Sequence, residues 1–185
     1  MAELTKESEV HDELFLEDEA GENMQNNKYL LFNIGEEVYG IDIANVTEII
    51  EMQKITDVPD MPTFIKGVIN LRGRVIPVMD LRLRFGMNER DYDDRTCVII
   101  VKIEDTSMGF IVDTVAEVHD IVETNIEPPP TFKSDTDRNH YISGLGKVND
   151  RVTILIDAHR LLHDKELESI SDAISSAGAQ REIDR

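Results

Sequence analysis

Tryptophan is absent from the 185-residue sequence, and Tyr and Phe together supply only 5% of it. Any core must therefore be built from aliphatic side chains, which the 41% hydrophobic share permits. With Cys97 as the single cysteine there is no internal disulfide and no cysteine-rich zinc site. Bases are scarce too: 19 Lys and Arg stand against 38 Asp and Glu, a formal charge of −19. A field of that sign repels phosphate backbones and anionic headgroups, which argues against nucleic acid and direct membrane insertion. No apolar run approaches the ~20 residues that span a bilayer. No basic segment followed by an apolar stretch opens the chain, so a cytoplasmic location is expected.

The usual catalytic signatures are missing as well. Gly144-Leu145-Gly146 lacks the third glycine of a dinucleotide loop, and no Gly-Lys-Ser/Thr phosphate cradle occurs. Ser143 sits in no nucleophile elbow. His159 and His163 have the i, i+4 spacing of a ligand pair, but two ligands without a third do not make a zinc site. Cys97 opens the apolar run Cys97-Val98-Ile99-Ile100-Val101, where a thiol acts as a small hydrophobe. Asp93 and Asp94 lie in a charged loop, Asn88 to Arg95, a poor place for a phosphoacceptor. No enzyme and no cofactor are expected.

What is present is organised in three parts. Residues 1–27 carry nine acids and one base, with only Leu14, Phe15 and Leu16 as an apolar cluster. That composition predicts a disordered acidic tail. Residues 28–165 form the folded domain. Residues 166–185 are read as a C-terminal helix and polar tail, with Leu167, Ile170 and Ile174 at helical spacing.

Within the domain the pattern is mainly strand. Leu30, Phe32 and Ile34 alternate, then Tyr39, Ile41 and Ile43 after the turn at Gly35, which predicts a hairpin. Val46, Ile49 and Ile50 then suggest a short helix with Glu48 on its outer side. Phe64 to Ile69 reads as a strand that turns at Leu71-Arg72-Gly73 and returns as Val75 to Met79. Pro77 predicts that this return strand is an edge, or is broken there.

The chain also repeats itself. Residues 40–49 match 109–118 at an offset of 69, with Gly40/Gly109, Val46/Val115 and Glu48/Glu117 identical. Residues 65–85 match 142–162 at an offset of 77, with Ile65/Ile142, Gly67/Gly144, Arg74/Arg151, Val75/Val152 and Asp80/Asp157 identical. A loop beginning Glu127-Pro128-Pro129-Pro130 and ending at Asp137 accounts for the extra eight residues. Two strand-rich copies of this size imply two small barrels packed on a shared core, since one alone is marginal. Asp80 and Asp157 each follow an apolar strand and precede a helical stretch, so both read as N-caps. The competing reading, a catalytic carboxylate pair, lacks any third partner.

The block Phe64 to Arg82, with Asn70-Leu71-Arg72-Gly73, Pro77 and Asp80, resembles the CheW-like family of chemotaxis coupling proteins. So do Val38 to Ile43 with Val46-Thr47-Glu48-Ile49, and Tyr141 to Gly146 with Ile154 to Asp157. The resemblance implies two SH3-like five-stranded β-barrel subdomains around a shared core. It implies a non-enzymatic adaptor that needs no cofactor and couples methyl-accepting chemoreceptor signalling tips to the regulatory domain of the histidine kinase CheA. Receptor would bind between the barrels and kinase at exposed barrel ends, with further copies of the adaptor possible in rings. Serving flagellar chemotaxis or another chemosensory array are alternatives left open. No receiver domain follows, so the likeness is to the stand-alone adaptor and not to a CheV-like fusion.

Carried onto matching positions, the family's coupling surface falls on Val46, Glu48 and Arg72. Arg72 has Asn149 as its repeat counterpart while the residues around it are kept, as binding would require. A guanidinium fork there could hold a carboxylate or backbone carbonyls. The plainer alternative is that Glu48 and Arg72 are ordinary surface charges, or pair with one another for under ~1 kcal/mol. Gly67 and Gly73 fit positions of positive φ or close backbone approach, with Gly73 shaping the Arg72 turn.

Overall fold

The computed structural model describes residues 27–130 and 140–162. The expectations for the acidic tail, the C-terminal helix, His163 and most of the Pro-rich loop with Phe132 fall outside them. The described chain runs β1 (Lys28–Ile34), β2 (Glu37–Asp42), β3 (Val46–Glu51), β4 (Ile65–Leu71), β5 (Arg74–Asp80), α1 (Leu81–Arg84), β6 (Cys97–Ile103), β7 (Thr106–Val112), β8 (Thr114–Asp120), β9 (Ile126–Glu127), β10 (Ile142–Val148), β11 (Arg151–Ile156) and α2 (Ala158–Leu162). The strands form one sheet in the order β8-β1-β2-β11-β10-β9 and another in the order β3-β6-β7-β5-β4. The expected five strands hold for the second sheet; the first gains the two-residue β9.

Neither sheet coincides with one copy of the repeat. The hairpin β1–β2 comes from the first copy, yet β2 pairs in parallel with β11 of the second, setting Gly40 opposite Leu155. The hairpin β6–β7 comes from the second copy, yet β7 pairs with β5 of the first, setting Gly109 opposite Val78. Each barrel thus takes strands from both copies, and a Cβ at either glycine would press to 2.8 Å from Leu155 or 2.7 Å from Val98. Barrel one is the sheet of β3 to β7, and barrel two holds the rest.

Each barrel closes along a seam. After β3 the chain returns along β4, where Thr56 N–H donates to Val68 O at 2.8 Å and Val68 N–H to Thr56 O at 2.9 Å. In barrel two β9 does the same against β10, with Gly146 opposite Ile126.

Among the described residues, three apolar clusters follow from this geometry. The shared core draws Phe32, Ile34 and Ile41 from barrel two and Met79, Ile99 and Phe110 from barrel one, with Leu81 and Leu161 from the helices. Barrel one has its own interior of Ile69, Ile76, Val78, Val98, Ile100 and Ile111. Barrel two has Leu31, Ile121, Val148 and Leu155. Successive residues of β6 therefore face different clusters, which is why its sequence is apolar without alternation.

Two local expectations are corrected. Val46–Glu51 is strand β3, not a helix; only Ile43–Asn45 makes a 3-10 turn, capped by the Asp42 carboxylate. Its β-branched residues suit a pleated surface, and burial alternates so that Ile49 points outward while Val46, Glu48 and Ile50 are half-buried. Strand β5 is interior, between β4 and β7, despite Pro77. Its ladder to β7 spans only Val78 to Asp80, so the missing N–H of Pro77 falls just outside it.

The carboxylates of the repeat act as caps. Asp80 Oδ1 accepts from Arg82 N–H at 2.9 Å and Leu83 N–H at 3.3 Å, while Tyr92 O–H donates to Oδ2 at 2.8 Å. Burial, followed by that bond to Asp80, pushes the Tyr92 hydroxyl pKa far up. Asp157 Oδ1 accepts from Arg160 N–H at 3.2 Å. Asp80→Ala is expected to cost about 2 kcal/mol in thermal unfolding, and Asp157→Ala about half that, because Asp80 is buried and its loss orphans a Tyr hydroxyl.

A further carboxylate, Asp113, joins β7 to β8 and receives the Arg82 guanidinium, with Nη2 at 2.6 Å from Oδ2. Burial alone would raise its pKa, but Arg82, the Gly35 amide and Arg90 hold it below the usual carboxylate range. A depressed acid contributes stability that is complete above its unfolded value and lost as pH falls through its folded one. Asp113→Asn should therefore flatten the loss of melting temperature below about pH 4, where unfolded Asp is half protonated. An identical acid limb in wild type and variant would contradict this.

Candidate functional site

The β4–β5 hairpin turns on two residues, Arg72 at φ +51° and Gly73 at φ +82°. Both lie in the left-handed region that a two-residue hairpin of this hand requires. Asn70 Oδ1 accepts the Gly73 N–H at 2.9 Å and secures the turn. The β10–β11 hairpin is built alike, with Asn149 at +50° and Asp150 at +62°. Asparagine tolerates that conformation and arginine does not favour it, so the backbone gives no reason for Arg at 72.

Its side chain does. Arg72 Nη1 donates to Glu48 Oε1 at 2.8 Å and Nη2 to Oε2 at 3.0 Å. The planar fork spans from the hairpin tip to β3, the opposite edge strand of the same sheet, beside the seam. The bond to Arg72 is the largest cause holding the Glu48 pKa below its ordinary value. The Arg72 side chain is 74% exposed and that of Glu48 26%. So the pair is ordered and charged yet open to a partner on the Arg72 side.

The structure brings Glu48 and Arg72 together at the surface of barrel one, and the ion pair between them is one of the two plainer alternatives. Val46 lies on the same strand, half-buried against the shared core, with a bulge between it and Glu48. Gly67 sits at φ +140°, where a Cβ would come within 2.1 Å of Thr56 O. It permits the seam beside the pair.

Barrel two carries the repeat of this arrangement with Asn149 in place of Arg72, although Arg151 lies in the same concavity. Glu117 and Asn149 line the same concavity of about 220 Å³ with Leu31, Val38 and Thr153. Glu117 there has His119 Nδ1 at 3.6 Å. Of the other residues considered, Cys97 is half-buried at the start of β6, where burial raises its thiol pKa. His159 lies 3.6 Å from Glu104.

Sequence reasoning misses two features. An aromatic column runs Phe32, Tyr39, Phe85, Tyr141 with centroids 5.9, 5.0 and 5.1 Å apart. The other is the Arg82–Asp113 pair, whose only sequence signal is that its repeat counterparts are His159 and Ala44.

Comparison with known proteins agrees with this architecture. The CheW-like domain model matches residues 28–166. A chemotaxis protein CheW of Klebsiella aerogenes is 37% identical over 157 residues, covering 85% of this chain and 93% of its own. The CheW of Bacillus subtilis is 39% identical over 140 residues, 75% of this chain and 88% of its own. The crystal structure of the scaffolding protein TtCheW from Thermoanaerobacter tengcongensis superposes with a TM-score of 0.68 at 41% identity, covering 76% of this chain and 94% of that one. A matched family model over most of the chain, close relatives of nearly full length and a shared two-barrel fold together place this chain in the CheW-like domain family.

Proposed function

We propose that the protein is a non-enzymatic chemotaxis adaptor that couples chemoreceptor signalling tips to the regulatory domain of a CheA-type histidine kinase, on the cytoplasmic side of the membrane. The observation that carries this reading is the Glu48–Arg72 fork, ordered at the edge of barrel one on a hairpin whose backbone would accept Asn more readily. Glu48 takes one N–H from each terminal nitrogen of Arg72, and a guanidinium has five, so a receptor carboxylate or carbonyl can be added without breaking the pair. Val46, half-buried on the same strand, gives the surface an apolar floor.

A second surface suits a partner of the same fold. Exposed apolar residues recur at repeat-related positions, Ile49 with Val118 and Val75 with Val152. Each barrel therefore offers a similar apolar contact, as an adaptor would need when alternating with a CheW-like kinase domain.

Reconstitution tests the reading. Receptor-containing membranes and the kinase are incubated with and without the protein, and kinase autophosphorylation is followed. The adaptor reading predicts stimulation that saturates with added protein and reverses with attractant. Kinase activity indifferent to the protein at any concentration would refute it.

A further inference from the structure

The repeat explains most of the molecule but not the contact made by Arg82. Arg82 stands in α1, directly after β5 of barrel one. Gly35 heads the β1–β2 turn of barrel two, and Asp113 lies where the chain crosses from β7 of barrel one to β8 of barrel two. One carboxylate ties them together. Asp113 Oδ2 accepts the Gly35 N–H at 2.7 Å and Arg82 Nη2 at 2.6 Å, and Oδ1 lies 3.4 Å from Arg82 Nε. Arg90 Nη1 approaches Oδ2 at 3.5 Å from the following loop. The Arg82 and Asp113 side chains are each only 17% exposed.

The repeat places a looser contact at the corresponding spot. An offset of 69 carries Gly35 to Glu104, and an offset of 77 carries Arg82 to His159. His159 Nε2 and Glu104 Oε1 lie 3.6 Å apart, with side chains 54% and 73% exposed. Each barrel thus reaches from its terminal helix to a hairpin turn of the other, tightly on one side and loosely on the other. The short helix α1 makes a further link through Arg84, which lies 5.1 Å from the Phe64 ring centroid and 5.3 Å from that of Tyr141. Those two aromatics are themselves repeat partners, one preceding β4 and the other β10.

Apolar burial holds two bodies together but is non-directional. Orientation needs bonds with fixed geometry, and a guanidinium fork plus a backbone amide on one carboxylate provides them. We propose that the Arg82–Asp113–Gly35 contact is a clasp that fixes the angle between the two barrels, making Arg82 and Asp113 positioning residues for partners held on different barrels. The last step rests on the proposed adaptor function; the mechanical step does not.

The test uses the full chain with Cys97→Ser and spin labels at Val75→Cys and Val152→Cys, exposed repeat partners on the two barrels. Inter-label distances and amide exchange are compared for this background, Arg82→Gln, Asp113→Ala and Arg82→Lys. The clasp predicts a broader distance distribution for the Gln and Ala variants, partly narrowed again in the Lys variant. It predicts Gly35 amide exchange faster by about tenfold, with Ile99 and Phe110 amides unchanged. In the same variants without labels and with Val75 and Val152 intact, binding of kinase domain or receptor tip alone should stay within about twofold, while binding of the second partner to the first complex weakens by about tenfold. An unchanged distance distribution, or exchange accelerated equally throughout both sheets, would overturn the clasp. Broadened distances with undiminished ternary assembly would overturn the positioning role. Failure of the clasp-intact protein to bind either partner would count against the adaptor function, and the distance arm would still decide the clasp.

Discussion

Gly67→Ala should lower the melting temperature by roughly 10 °C or more, the largest effect expected of any single methyl group added to this fold. Two independent costs combine. At φ +140° an L side chain is strained, and its Cβ would meet the Thr56 carbonyl oxygen at 2.1 Å. Backbone cannot rotate aside as a side chain can, so the two Thr56–Val68 hydrogen bonds must open. Barrel one then loses its seam, and the interior of Ile69, Ile76 and Ile100 meets water. Together these amount to about 3–5 kcal/mol. Gly73→Ala provides the comparison. Its φ is also positive, but a Cβ there would meet no heavy atom within 4 Å, so only the conformational cost of about 1–2 kcal/mol applies. Equal losses in the two variants, read from thermal unfolding, would contradict the seam as the reason.

Arg72→Asn should leave thermal unfolding nearly unchanged and weaken receptor coupling by at least about tenfold, which is the loss of one charge-assisted bidentate contact. Asn is the residue the repeat itself uses in the equivalent turn, and it accepts a left-handed backbone more readily than Arg does. Stability and coupling are thereby separated by a single substitution. Glu48→Gln should act in the same direction more weakly, because it frees the guanidinium from its carboxylate without removing it. Exposed ion pairs contribute little to folding, so the expected split does not depend on the pair's own strength. A variant that melts early and couples normally would remove Arg72 from the coupling surface.

Much of this arrangement is legible in the amino-acid sequence. The alternation of Leu30, Phe32 and Ile34 against Tyr39 and Ile41 reads directly as the first hairpin, and the two offsets recover the repeat. Asp80 and Asp157 are recognisable as caps from their place between a strand and a helical stretch. The exchange of strands between the two copies is not readable, because pairing β2 with β11 and β5 with β7 is a tertiary choice that leaves no local pattern. Strand β3 reads as a helix because Val46, Ile49 and Ile50 satisfy helical spacing, while a bulge and a half-buried Glu48 blur the alternation of a strand. Its β-branched content is the signal that favours the strand.

At the proposed receptor surface, the sequence offers Glu48 and Arg72 as candidates but not their contact. Glu48 and Arg72 are 24 positions apart and meet only because barrel one curls until β3 approaches the β4–β5 hairpin. The Arg82–Asp113 pair is hidden among many charges for the same reason, since nothing local brings α1 to the β7–β8 junction. The interior position of Pro77 follows from register: a proline is tolerated inside a sheet where the neighbouring ladder begins one residue later.

The central claim is that one molecule holds receptor and kinase at once on different surfaces. Calorimetric titration tests it most directly. The receptor signalling-tip fragment is titrated into the protein alone, then into the protein saturated with the kinase regulatory domain, and the order is reversed. The account predicts saturable binding in all four titrations, with each partner's stoichiometry unaltered by the other and with Arg72→Asn losing the receptor while keeping the kinase. Displacement of one partner by the other, or binding of neither, would contradict it.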